Sequence, residues 1–227
     1  MTDIHEARST ILGRVEAAAL RVGRSPADVR VIAVSKFQPD ELVRDAWADG
    51  QRDFAENYAQ DLRDRAARLV DLEGARWHAI GPLQQNKVKY VAKVASSFHA
   101  LERLDVAEEL SRRRVDDPIE AFVQIHLGDE ETKAGIEAHD LPAFLASTRQ
   151  LPGLRVVGLM AMPPLEDAEA ARPWFRVLRE LAANNGLPRL SMGTTADFEV
   201  AIEEGATDVR IGRSIFGPHR PRIRPER

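Results

Sequence analysis

The sequence is most informative at first for what it lacks. Among 227 residues there is no cysteine, which excludes disulfides, thiolate catalysis and cysteine-ligated metal sites. No apolar run approaches the roughly 20 residues of a membrane span. The first residues are polar and acidic, unlike a signal peptide, so the expected address is the cytoplasm with no membrane partner. Neither sign of charge dominates: 32 Lys and Arg stand against 36 Asp and Glu, a net charge of -4. That gives no electrostatic case for nucleic acid. There is no Walker loop, no G-x-G-x-x-G after the first strand and no G-x-S-x-G elbow. The six histidines include no two at a spacing that would place both on one helix face or strand edge as metal ligands.

What is present is a repeated alternation of strand and helix. Val29 to Val34 is an almost continuous branched apolar run, the signature of a parallel strand buried on both faces. It ends at Ser35-Lys36, and Pro39-Asp40-Glu41 opens a helix. Further strands are expected around Asp53–Ala55, Arg76–Gly81, Ser97–Leu101, Ile119–Ile125, Leu154–Met160, Arg189–Met192 and Asp208–Ile211, each followed by a helical pattern or a loop. An amphipathic helix with Ile4, Ala7, Ile11, Leu12, Val15, Ala18, Ala19 and Val22 at three- and four-residue intervals precedes them and should cover the bottom or side of the fold. Eight strands without a linker predict a single (β/α)8 barrel over residues 1–218 with an extra N-terminal helix. An open doubly wound sheet is the alternative. Residues 219–227, basic and rich in proline, are expected to be a disordered tail.

Barrels gather chemistry at the carboxyl ends of their strands. That face would collect Lys36, Asn57, His78, Met160, Ser191 and Arg210. Taken alone, Lys36 could be a lysine that snorkels to the rim, and His78 reads better as a hydrogen-bonded core or rim group than as a general base. The loops Ser191–Thr195, with Gly193, and Gly212-Arg213-Ser214 follow the last two strands, a common phosphate position where exposed N–H groups cradle an anion. Either glycine alone could merely turn the chain. Together with a lysine, the two loops suggest a phosphorylated carbonyl compound held as a Schiff base. The charge-dense helix Gln60–Arg68 reads as a solvated face, since its acids and bases alternate.

Several motifs then carry a resemblance: A-V-S-K at Ala33–Lys36, E-N-Y at Glu56–Tyr58, W-H-x-I-G-x-L-Q at Trp77–Gln84, G-L-M-A-M at Gly158–Met162, S-M-G at Ser191–Gly193 and V-R-I-G-x-x-I-F-G at Val209–Gly217. Together with N-K at Asn86-Lys87, K-x-G at Lys133–Gly135 and D-x-E-x-A-I at Asp197–Ile202, they run in order along nearly the whole chain, which resembles the pyridoxal phosphate homeostasis proteins. That family is similar to the barrel domain of alanine racemase without its second domain.

The resemblance implies pyridoxal 5′-phosphate (PLP) on Lys36 as a Schiff base, with Ser191, Gly193, Thr195, Gly212 and Arg213 around the phosphate. Arg210 would face the pyridine nitrogen, and Asn57, His78 and Met160 would line the ring pocket. It further implies a monomer that serves PLP and amino-acid homeostasis, passing cofactor to PLP-dependent apo-enzymes, without strong catalysis. A PLP-dependent racemase and a cofactor-free Schiff-base aldolase are the alternatives. Against the racemase, Tyr58 and Tyr90 fall in expected helices, leaving no loop tyrosine as second acid/base. The chain departs from the family in Ala55 for glycine, Thr194-Thr195-Ala196-Asp197 for Met-Ser-x-Asp, and Arg213 for threonine or alanine.

Overall fold

The computed structural model describes residues 3–128, 134–164 and 167–218. The tail at 219–227 and Lys133 lie outside the described residues. Eight parallel strands follow one another around a closed barrel: β1 (Arg30–Val34), β2 (Asp53–Glu56), β3 (Arg76–Ala79), β4 (Ala95–Leu101), β5 (Ile119–Gln124), β6 (Leu154–Met160), β7 (Arg189–Thr194) and β8 (Asp208–Ile211). β8 closes on β1 with Arg30 opposite Asp208 and Ala33 opposite Ile211. The open-sheet alternative is thereby overturned. Continuous apolar runs favour this closure, because a parallel strand flanked by helices outside and side chains inside has no wet face.

The helices are α1 (Ile4–Arg21), α2 (Asp40–Ala48), α3 (Ala59–Arg68), α4 (Val88–Val94), α5 (Leu104–Arg113), α6 (Leu141–Thr148), α7 (Arg172–Asn184), α8 (Phe198–Glu203) and α9 (Arg213–Phe216). Between strands and helices lies the main core, where Phe54, Phe98, Phe175 and Phe198 are fully buried. Truncating any one of these to alanine should cost about 3–5 kcal/mol. The additional helix α1 starts at Asp3, whose carboxylate accepts from the Glu6 N–H. It packs beside α8, α9 and α2, so of the two expected placements the side is correct. Arg24 fastens its end, donating to the carbonyls of Ile202 (2.7 Å) and Ala206 (2.8 Å).

The strands begin at the amino-terminal end of the barrel with charged residues. Arg76, Asp53, Arg30, Asp208, Arg189, Glu120 and Arg155 form one line of alternating sign. Within it Arg189 lies 2.6 Å from both Asp208 and Glu120. Its guanidinium is raised despite burial, since both carboxylates favour the charged form. A cleft of about 640 Å³ opens at this end, lined by Arg8, Arg30, Asp53, Arg76 and Arg189 among others.

Candidate functional site at the barrel mouth

At the opposite end the chain leaves β1 through Ser35, Lys36 and Phe37. Phe37 has φ 61°, making it the one non-glycine residue with a left-handed backbone among the described residues. Such a conformation costs about 1–3 kcal/mol and persists only where neighbours enforce it. Here two buried groups do so. The Ser35 hydroxyl donates to Glu56 Oε1 at 2.8 Å. Arg65, only 6% exposed, reaches Glu56 (2.7 Å), donates to the Gln38 carbonyl (2.7 Å) and pairs with Asp40 (2.7 Å). Burial raises the Glu56 carboxyl, and the Arg65 guanidinium pulls the other way. The loop carrying Lys36 is therefore held on both sides. Lys36 itself is half-buried and makes no hydrogen bond or ion pair among the described residues.

Asn57 follows β2 and is half-buried. The loop after β3 passes directly over it, and a Cβ on Gly81 would stand 2.3 Å from the Asn57 carbonyl oxygen, so only glycine fits. Met160 ends β6, buried, in register with Gln124 and with Ser191. Gly193, with φ 90°, lets β7 approach α8: a Cβ would lie 2.6 Å from that of Ala201. Beyond it, Asp197 accepts from both the N–H (2.6 Å) and the hydroxyl (2.9 Å) of Thr194. The N–H groups of Thr195 and Ala196 carry no hydrogen bond among the described residues. The same holds for Arg213 and Ser214 at the start of α9, after Gly212. Gly212 has an ordinary negative φ, and a Cβ there would crowd the Val34 carbonyl at 3.2 Å. The Arg213 side chain is exposed. Two adjacent strands thus each deliver a pair of free N–H groups to one face, suited to an anion.

Arg210 on β8 is 5% exposed. It donates to the Ser191 carbonyl and hydroxyl, each at 2.6 Å, and to the Ala161 carbonyl at 3.1 Å. Burial lowers its guanidinium to about 10, partly offset by Asp197 and Asp208, and leaves it charged near neutral pH.

Two of the expected residues are not brought to the mouth. His78 is fully buried, one layer down in the barrel, with its ring nitrogens engaged by Asp53, Ser97 and His99. The reading as a hydrogen-bonded core histidine fits this placement, and a place against a cofactor ring does not. Ser191 is likewise fully buried, its hydroxyl taken by Arg210 and His99, so it supports Arg210 and is not part of an open phosphate loop. A third expectation fails at Tyr58, which caps α3 from the loop after β2 with its ring 6.1 Å from that of Phe37. A loop tyrosine does therefore stand against Phe37, the residue that follows Lys36. Nor is α3 wholly a solvated face, since Arg65 is buried.

Sequence reasoning missed Glu56, Arg65, Asp53, Ser97 and His99. The pair Ser97 and His99 left a signal: polar residues two apart in an otherwise apolar strand face the same interior.

Barrel, mouth lysine and anion-ready loops define a class that the comparisons confirm. A family model described as alanine racemase, N-terminal domain, matches residues 15–220, and the chain belongs to that family. Within it, the chain belongs with the pyridoxal phosphate homeostasis proteins. The relative of that name from Pseudomonas aeruginosa is 43% identical over 222 residues, covering 96% of each chain. PipY of Synechococcus elongatus, solved with PLP bound, superposes with a TM-score of 0.80 at 34% identity, covering 91% of this chain and 100% of that one. Alanine racemase from Corynebacterium glutamicum shares the fold alone, with a TM-score of 0.63 at 14% identity over 95% of this chain and 61% of its own.

Proposed function

We propose that this chain binds PLP at the barrel mouth, with Lys36 as the covalent anchor, and serves PLP and amino-acid homeostasis without strong catalytic turnover. The observation that carries the reading is the PLP-bound relative PipY, alike over nearly the whole chain. The residues here fit the same ligand. When bound, PLP supplies an aldehyde that condenses with a primary amine, and Lys36 is an amine at the mouth with no hydrogen bond or ion pair among the described residues. The free N–H groups at Thr195, Ala196, Arg213 and Ser214 suit the phosphate. Asn57 after β2 and Met160 at the end of β6 flank the β7–β8–β1 arc that carries these two features, where they would border the ring.

Arg210 supports the non-catalytic part. A fixed cation beside the pyridine nitrogen opposes its protonation, so the ring draws electrons weakly. Tyr58 keeps a second reading alive, a PLP-dependent racemase, since it places an acid/base group against Phe37, the residue next to Lys36. Transfer of cofactor to apo-enzymes is part of the proposal and rests on the family alone.

Titration of the purified protein with PLP, followed by absorption, tests binding: a saturable visible band is expected, and its absence would refute the site. Incubation of the loaded protein with a panel of amino acids, read by chiral and keto-acid analysis, tests catalysis. Turnover of about 1 per second or faster would make this an enzyme.

A further inference from the structure

Below the mouth, one line of hydrogen bonds crosses the barrel interior from β8 to β2. Arg210 Nη1 donates to Ser191 Oγ at 2.6 Å, and Ser191 Oγ lies 2.8 Å from His99 Nδ1. His99 Nε2 is 2.8 Å from Ser97 Oγ and 3.1 Å from His78 Nδ1. Ser97 Oγ is 2.6 Å from His78 Nδ1, and His78 Nε2 is 2.9 Å from Asp53 Oδ1. All six side chains are buried, and Phe122 stacks on the His99 ring with centroids 4.3 Å apart.

The two ends decide which way every proton points. A guanidinium can only donate, and an ionised carboxylate can only accept. Asp53 is held ionised by two hydrogen bonds from Arg76, at 2.8 and 2.5 Å, with Arg30 3.8 Å away. Running from Arg210, the Ser191 hydroxyl gives its proton to His99 Nδ1 and His99 Nε2–H donates to Ser97. The Ser97 hydroxyl then donates to His78 Nδ1, and His78 Nε2–H to Asp53. Every donor has an acceptor. The reverse order fails at both ends. It sets the bare Nε2 of His78 against a carboxylate oxygen, and it leaves the Ser191 hydroxyl accepting twice with its own proton unpartnered in a fully buried position.

We propose that Arg210, Ser191, His99, Ser97, His78 and Asp53 form a hydrogen-bond wire of single polarity, in which both histidines are neutral and protonated on Nε2. Asp53 is then a positioning residue for Arg210, acting from the far end of the barrel. This second half rests on the reading that PLP sits beside Arg210; the polarity does not. Desolvation pushes the His99 imidazole well below its usual range, and the cations Arg210, Arg189 and Arg30 push the same way, in keeping with a neutral ring.

Nitrogen-15 NMR of the PLP-free protein, labelled at histidine, reads the polarity without any substitution. Both rings should show a bare Nδ1 and a protonated Nε2 at neutral pH. A ring protonated on Nδ1, or on both nitrogens, would overturn the proposal. Positioning is read in two further ways. Coupling is reciprocal, so saturating PLP at the mouth should shift the ring nitrogens of His78, which lies in the buried layer beneath it. In Asp53→Asn the terminal acceptor becomes a group that can also donate. The Nδ1-protonated form should then appear at His99, and PLP should bind about fivefold more weakly, the low end of coupling between separated sites. Asp53→Glu, which keeps the acceptor, should restore both readouts. Unmoved His78 signals under saturating PLP, or wild-type affinity in a folded Asp53→Asn protein, would remove Asp53 from the site. A wild-type protein that shows the stated tautomers but no PLP binding would instead refute the functional reading and leave the wire standing.

Discussion

The two ends of this barrel are built from the same strands and treat charge in opposite ways. At the amino-terminal end, three carboxylates and four arginines alternate so that each carboxylate meets two cations. At the carboxyl-terminal end, Lys36 has no ionic partner among the described residues, and two loops present unbonded N–H groups. Arg210 there is held by carbonyls and a hydroxyl, with no carboxylate in direct contact. A structural end satisfies its own charge; a binding end leaves it for a ligand. Strand direction makes the difference possible, because the loops that follow the strands are free to vary while the strand starts are locked into the ring.

The contrast can be broken from either side. The largest effect should come from Lys36→Ala, which is expected to abolish the visible band of bound PLP while weaker binding persists through the phosphate loops, as read by equilibrium dialysis. At the other end, among the described residues, Arg189→Ala would leave buried Asp208 paired with Arg30 alone, 3.7 Å away, and half-buried Glu120 with Arg155 alone. Chemical denaturation should show a loss of about 3 kcal/mol, the low end for a broken buried pair. PLP retention should change far less there than stability. Gly212→Val tests the loop without attacking the core: crowding the Val34 carbonyl should weaken PLP about tenfold, the scale of one lost charge-assisted hydrogen bond. Unchanged affinity would remove that loop from the site.

A pH series should expose Asp53. Burial alone would raise its carboxyl, but hydrogen bonds from His78 and Arg76 hold it far below the ordinary range. A depressed carboxyl contributes stability that is present above its unfolded value of about 3.9 and is lost as pH falls below it. Melting temperature should therefore hold near neutrality and drop below about pH 4, with a shallower acid loss in Asp53→Asn. Arg155→Ala should matter least, about 0–1 kcal/mol, because the side chain is 66% exposed.

How much of this was legible in the sequence depends on the range of the interaction. The strand Leu154–Met160 was readable to the residue, since it is set by local pattern. The mouth lysine and the two glycine loops were readable for the same reason: each is a short motif at a strand end. Pro82 to Val94 reads from sequence as one helix, but the chain there makes a loop, a 3-10 turn at Gln85–Lys87 and then α4, because Gly81 must first cross Asn57. Long-range roles stayed hidden. Nothing local says that Ser191 on β7 faces His99 across the lumen, or that Arg65 turns inward while its charged neighbours on α3 face water. His78 and Ser191 are fully buried, with their polar side-chain atoms engaged from other strands, which strand-end position alone does not reveal.

The central claim, that the open end of the barrel captures PLP through one lysine, has a direct measurement. PLP-loaded protein is reduced with borohydride, which converts an imine to a stable amine, then digested and mapped by mass spectrometry. The label should fall on the peptide that contains Lys36 and nowhere else. Label spread over Lys87, Lys89 and Lys93, or no label at all, would contradict the account.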